Sequence, residues 1–571
     1  MHALRALSLA CVAAGALSLG ACVPRGGRVA QGDRDQVLYY GNGSEPQDLD
    51  PQIVTGIPES HILQGLFEGL VSQDPVDLHP IPGVAESWDI SADGKQYTFH
   101  LRHNAKWSNG DPVTAHDFVD SYRRMLSPAL AAQYVEMFYK DAEVVNAEAF
   151  YDGKIKDFNQ VGFHAPDDFT FVVNLANPAG YFLQMLNHQA WYPVHIPTIL
   201  KYGKFDEKST RWTRPGNLVG NGPFVLKAWK TEQEVEVDRS PTYWDAANVR
   251  LRAIHYMNTE NIDGEERDFR AGLLHVTTEV PQEKIDVYKE RAPELIQISP
   301  YLGVYFYKLN VTNPALKDKR VRRALAMSVD RDSLVKNVTR GGQAPAHAFT
   351  PPNTNGYTCD TGIPMDIEGA KKLLAEAGYP DGKGLPPINL LINTSQNHRA
   401  IAEALQQMWS QNLHIDVRIA NQEWKVYLDS MLKLDYCAAR AGWIADYNDP
   451  YSFLGIMVSG GGNNETGFAN PEYDKLILQS SASTDKAARF ACFQKAEAIL
   501  LDEAPVLPLY YYTRVYLKQP SVKGWYANIQ DVHMPKFIYL EEGAPMEFKN
   551  LKLGSVAQPG KLASAGALTG K

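Results

Sequence analysis

Between residues 366 and 419 the chain alternates two hydrophobic periods, and that alternation restricts its fold more than any other feature. Asp366 stands where a helix N-cap is needed. Ile367, Ala370, Leu373, Leu374 and Ala377 then form one apolar stripe, and Gly378 followed by Pro380 ends the helix. Residues 388–392 read as a strand, 398–411 as a second helix and 415–419 as a second strand. Strands joined through a helix need a sheet whose faces helices cover, so the expected class is α/β. A further half-buried strand is expected at 97–102, where Tyr97, Phe99 and Leu101 alternate with polar residues. Thr114, with Asp117 three residues on, supplies the pair of a helix capping box. At 571 residues the chain exceeds one compact core, and two to four domains are expected.

The N-terminus reads as an address rather than as fold. One basic residue, Arg5, precedes an apolar run from Ala6 to Gly20, too short for a comfortable membrane span and suited to an export signal. Leu19-Gly20-Ala21-Cys22 resembles the lipobox of bacterial lipoproteins, in which Cys22 is acylated; a conventional signal that happens to contain a cysteine is the alternative. Residues 22–37, rich in Gly and Arg, are expected to be a tether, and residues 553–571 a disordered tail.

The formal charge of −10 comes without a Lys/Arg block, which argues against nucleic acid as a partner. Aromatics make up 11% of the chain and serve clefts and cores equally well. Cys11 lies in the signal, and Cys359, Cys437 and Cys492 are too widely spaced for a zinc or redox motif. The chain has no G-x-S-x-G, no G-x-x-x-x-G-K-[ST] and no H-E-x-x-H, and Gly460-Gly461-Gly462-Asn463-Asn464 lacks the Lys and helix of a phosphate loop. Neither an enzyme nor a metal or cofactor is expected.

Three segments carry a resemblance. They are Gly43-Ser44-Glu45-Pro46-Gln47-Asp48-Leu49-Asp50-Pro51; the run from Gly83-Val84-Ala85-Glu86-Ser87-Trp88 through Trp107-Ser108-Asn109-Gly110-Asp111-Pro112 to Phe118; and Gln422-Glu423-Trp424 through Trp443-Ile444-Ala445-Asp446-Tyr447-Asn448. Together they resemble the extracellular solute-binding proteins of family 5, the oligopeptide and dipeptide receptors of ABC importers, over residues of about 38 to 545. The resemblance implies a two-lobed periplasmic-binding-protein-like fold of class II with an extra subdomain. Residues 38–67, 193–302 and 514–552 would form lobe 1, 68–192 the subdomain and 303–513 lobe 2. It also implies a monomer that holds short extended peptides between its lobes, hands them to permease subunits and sits on the membrane through a lipid anchor, in the periplasmic space or at the cell surface.

A zwitterionic peptide needs a carboxylate for its ammonium, a cation or donor for its carboxylate, and strand edges for its backbone, since burying either charge unpaired costs several kcal/mol. By resemblance Asp446 takes the ammonium, with a turn Asp before Pro450 as the plain alternative. Trp443 and Trp424 flank side-chain pockets, or else are core tryptophans. Arg440 and His398 serve the carboxylate end, or else are a strand residue and a helix-terminal residue. Tyr512 and Tyr301 match cleft tyrosines, and Ile57 contributes backbone atoms.

Departures from the family are equally informative. Two half-cystine positions of close relatives fall on Gly303 and Ile444. Two acidic cleft positions fall on Thr55 and Lys308, and a basic contact for longer peptides falls on Thr339, beside Arg340. Other readings are a family 5 receptor for another amine-bearing solute, such as a murein peptide or an opine, and an exported peptide hydrolase.

Overall fold

The computed structural model describes residues 27–542, apart from Ala482 and Thr484. The signal, Cys22 and the 553–571 tail lie outside the described residues.

Three sheets organise the molecule. The first has four strands in the order Val37–Gly43, Ala253–Asn258, Glu234–Arg239, Phe224–Lys230, with the first pair parallel and the others antiparallel. Leu38, Tyr40, Ile254, Tyr256, Val235 and Val237 face its core. The second is an antiparallel sheet in the order Ala85–Ile90, Gln96–Leu101, Thr170–Asn174, Phe163–Asp167. Tyr97, Phe99, Leu101, Phe171 and Val173 are buried, as period-two alternation requires of a sheet with one covered face. The helix Ala115–Met125 packs against it and starts at the expected capping box, with the Thr114 N–H donating to Asp117 at 2.7 Å.

The third sheet is mixed and six-stranded: Ala344–Pro345, Val506–Leu517, Ile296–Leu309, Ala438–Ile444, Ile388–Asn393, Val417–Gln422. Asp366 caps the helix Ile367–Glu376 by accepting from the Gly369 N–H, and Ser395 caps Gln396–Leu413. That second helix is the crossover between the parallel strands Ile388–Asn393 and Val417–Gln422. The latter strand begins two residues later than expected. His414 takes a left-handed conformation to end the helix, and ladder pairing opens with the Ile388 N–H donating to the Asp416 carbonyl, opposite Val417.

Two strands tie the lobes together. Ile296–Leu309 pairs antiparallel with Val506–Leu517, running from a small cluster around Leu295, Ile296 and Leu517 into the core that holds Tyr305, Leu309, Leu507 and Leu509. Their register breaks between Pro300 and Val304. Pro300 has no N–H to give a ladder, so the break is built into the sequence.

One expectation is corrected here. The tether of residues 22–37 is not a tether where it is described: Arg28–Asp35 is a helix, with Val29 and Asp33 buried. Its glycine serves close packing rather than looseness. A Cβ on Gly32 would meet the Val37 carbonyl oxygen at 2.4 Å and the His275 ring at 2.8 Å.

Candidate functional site

The strand Ala438–Ile444 writes the site by alternation. Arg440, Gly442 and Ile444, together with Asp446 two residues past its end, line one continuous cleft. The cleft has two connected chambers of about 1020 and 1610 Å³, which share Thr55, Gly56, Ile57, His61, Tyr301 and Ile444 among their walls. All eight expected site residues line it. Asp446 and Trp443 belong to the smaller chamber; Trp424, Arg440, His398 and Tyr512 to the larger; Tyr301 and Ile57 to both.

Asp446 is a carboxylate without a cation. Its side chain is 14% exposed, and its nearest basic group is His188 Nε2 at 3.5 Å. Nδ1 of His188 accepts from the Ala190 N–H, so the ring hydrogen sits on Nε2 and faces Asp446. Burial holds the His188 pKa down at about 3, so no ion pair forms. Burial likewise pushes Asp446 up to about 8. Its turn role falls to a neighbour, because Asp449 rather than Asp446 accepts from the Tyr451 N–H and pairs with Arg489.

Arg440 is the converse. Its guanidinium lies over the Tyr305 ring, 5.0 Å to the centroid, and donates to the Tyr512 hydroxyl at 3.0 Å and to Asn393 Oδ1 at 3.4 Å. Among the described residues no carboxylate lies within 4.0 Å of it, and its Nε is buried without a partner. Gly442 makes the Tyr512 contact possible: a Cβ there would come within 2.5 Å of that hydroxyl. The other Arg of the walls, Arg514, is neutralised by Asp531. Burial, aided by the Arg440 charge, holds His398 well below the ordinary imidazole range, so it acts as a neutral group next to the Tyr305 hydroxyl.

The tryptophans serve wall and core together. Trp443 packs on the main core while its Nε1 donates to the Ser452 carbonyl at 2.6 Å. Trp424 stacks on Tyr427 and reaches across the cleft to Gly56, where a Cβ would lie 3.2 Å from its ring.

The departures resolve in different ways. Gly303 and Ile444 face each other across paired strands, and the Ile444 side chain fills the space before Gly303. Thr55 and Thr339 line the cleft, whereas Lys308 does not. Lys308 is buried and spends its charge on Glu465 at 2.6 Å and the Asn463 carbonyl at 2.9 Å, tying down the glycine-rich turn. Arg340 is exposed, with Nε bound to the Asn337 carbonyl. Sequence reasoning missed His188, Tyr134 and Gln530 in the smaller chamber and Glu260 and Glu279 in the larger. These come from segments far from the 422–450 run, and no local spacing marks them.

The model of the bacterial extracellular solute-binding proteins, family 5, matches residues 79–465. The chain belongs to that family. Among family 5 relatives, the periplasmic oligopeptide-binding protein OppA of Escherichia coli K12 is 40% identical over 524 residues, covering 90% of this chain and 94% of its own. The Haemophilus influenzae OppA complex with RPPGFSPFR superposes at TM-score 0.83 with 36% identity, covering 89% of this chain and 99% of that one. The E. coli murein tripeptide-binding protein MppA matches at TM-score 0.84 with 36% identity, covering 88% and 98%. Against the unliganded open form of MppA the TM-score falls to 0.60 at the same identity. The arrangement of this family 5 member therefore differs from that of the open receptor. Relatives are named as periplasmic binding proteins, and among the described residues no helix is long and apolar enough to cross a membrane.

Proposed function

We propose that this protein is the substrate-binding subunit of an ABC peptide importer, holding a short extended peptide between its lobes and passing it to the permease. The observation that carries the reading is a pair of unmatched groups lining one cleft: Asp446, kept mostly protonated by burial because it has no cation, and Arg440 with no carboxylate. A zwitterionic peptide supplies both missing partners: its ammonium lets Asp446 ionise, and its carboxylate meets the buried Arg440 charge. Ligand that binds both lobes favours the closed arrangement, and the break at Pro300–Val304 is the natural hinge. Sequence similarity to peptide receptors supports the reading, and OppA relatives solved with peptide make the ligand class reasonable.

Proton linkage tests it. In the free receptor Asp446, at about 8, is mostly protonated at pH 7, and an incoming ammonium lowers that value. Binding at pH 7 should therefore release roughly 0.5–1 proton per peptide. At pH 9 the sign reverses: Asp446 is already ionised, while the peptide amine, ordinarily at about 7.7–8.0, must gain a proton. Titration calorimetry in buffers of different ionisation enthalpy reads this directly. Zero linkage at both pH values would contradict an amine on Asp446.

The anchor belongs to the same proposal and rests on the Leu19–Cys22 pattern alone. Cys22→Ser should move the exported protein from the membrane fraction to the soluble periplasmic or culture fraction; unchanged membrane association would argue against acylation there.

A further inference from the structure

Beside the smaller chamber, two parts of the chain meet at the Asp446 end of the cleft. One is the stretch from Gln133 through the short π-helical turn Met137–Asp141, together with Tyr181; the other runs from Asp446 to Glu465. Tyr181 and Tyr447 stack across this contact, with ring centroids 4.8 Å apart and 7° between their planes. The Tyr447 hydroxyl donates to Asp141 Oδ2 at 3.3 Å, and Arg489, already paired with Asp449, lies over the Tyr181 ring. The glycine-rich turn 460–464 completes the contact. A Cβ on Gly462 would stand 2.9 Å from the Gln133 carbonyl oxygen, and one on Gly461 would stand 3.1 Å from Glu136 Oε2. The glycines thus serve close approach, and the Lys308–Glu465 pair holds the turn in place while Gln133 Nε2 reaches Glu465 Oε1 at 3.5 Å.

The contact is crowded with acids. Glu136 and Asp446 both face Asp141, with Glu143 nearby, and the adjacent cation, Lys140, is bound to Glu136 at 2.5 Å. The other titratable neighbours are Tyr181, Tyr447 and Tyr451, which burial keeps neutral, and the Arg489–Asp449 pair; His188, beside Asp446, is neutral as well. Enclosure in this contact, reinforced by the Glu136 and Asp446 charges, holds the half-buried Asp141 carboxyl well above the usual carboxylate range. When the two parts separate, Asp141 returns to water and to an ordinary value of about 3.9. The joined state therefore binds a proton that the separated state releases. Between those two values acid favours joining, by at most about tenfold per pH unit for one group. A ligand ammonium on Asp446 acts in the same direction, because it cancels one of the like charges that face Asp141.

We propose that Asp141, Tyr181 and Tyr447, with the glycine turn docked on Gln133, form an acid-sensitive clasp that shuts the Asp446 end of the cleft. The inference rests on the peptide reading above, and its test separates the two. Small-angle scattering of the unliganded exported protein reads closure without any peptide. Its radius of gyration should fall toward that of the trialanine-loaded protein as pH drops from 8 to 5. Asp141→Asn keeps an acceptor for Tyr447 without the charge. That variant should be compact at both pH values and bind trialanine at least about tenfold more tightly than wild type at pH 8, with the gain shrinking as pH falls. Gly462→Ala should act in the opposite sense: an expanded unliganded form at pH 5 and several-fold weaker binding, with circular dichroism unchanged. Asp446 is intact in both variants, so its own titration cancels in each comparison with wild type. A wild-type radius that ignores pH, or an Asp141→Asn variant that follows wild type in radius and affinity at every pH, overturns the clasp and leaves peptide binding intact. Should Asp141→Asn fail to fold, Gly462→Ala decides, and wild-type behaviour of that variant overturns the clasp. Absence of trialanine binding by the wild-type protein overturns the peptide reading and the inference with it.

Discussion

Asp446→Asn should lower affinity for a free-amine tripeptide by about 30- to 5,000-fold, or about 2–5 kcal/mol, because the ligand ammonium is then buried without its counter-charge. The same change should not harm the empty protein. In the folded state Asp446 sits at about 8, above its unfolded value of about 3.9, so the folded form binds more protons between those limits. Stability contributed at this site is therefore lost as pH rises from about 4 to about 8. Asn carries no such dependence. The variant should melt at the wild-type temperature near pH 4–5 and above it at pH 8–9, by scanning calorimetry without ligand. Weaker binding together with a higher melting temperature is the signature of a functional charge held at a structural cost; lower stability at every pH would instead make Asp446 a structural residue.

Arg440→Met is expected to give the second largest loss, about 10- to 1,000-fold for a tripeptide with a free carboxylate. Methionine keeps much of the aliphatic stem and removes the charged guanidinium that lies over Tyr305. The loss should be specific to the free acid: the variant should bind the C-terminal amide about as well as wild type does. An equal loss for acid and amide would mean that Arg440 shapes the wall without meeting the carboxylate.

Parts of this architecture are legible in the sequence, and the reason differs by part. The helix after Asp366 and the two strands around Gln396–Leu413 follow from local periodicity and capping, which act within a few residues. The helix Arg28–Asp35 was hidden because its glycine looks like flexibility, whereas Gly32 is there to let His275 and Val37 approach. Arg440, Gly442, Ile444 and Asp446 alternate visibly, yet alternation alone does not say which strand face meets a cleft. The family resemblance picked out Arg440 and Asp446 as site residues and Ile444 as a lost half-cystine position; Gly442 it did not mark. His188 and Glu279 had no such signal, because each reaches the cleft from a segment more than a hundred residues away from the 422–450 run. Lys308 shows the opposite limit: a charge at a cleft position of the family is turned into the fold by Glu465.

The most direct test of the central claim is titration calorimetry of one tripeptide and its N-acetylated form against wild-type protein and Asp446→Asn. Wild type should bind the free amine at least thirtyfold more tightly than the acetylated form, and the variant should discriminate little between them. Equal affinities for the two ligands in the wild-type protein would contradict the account.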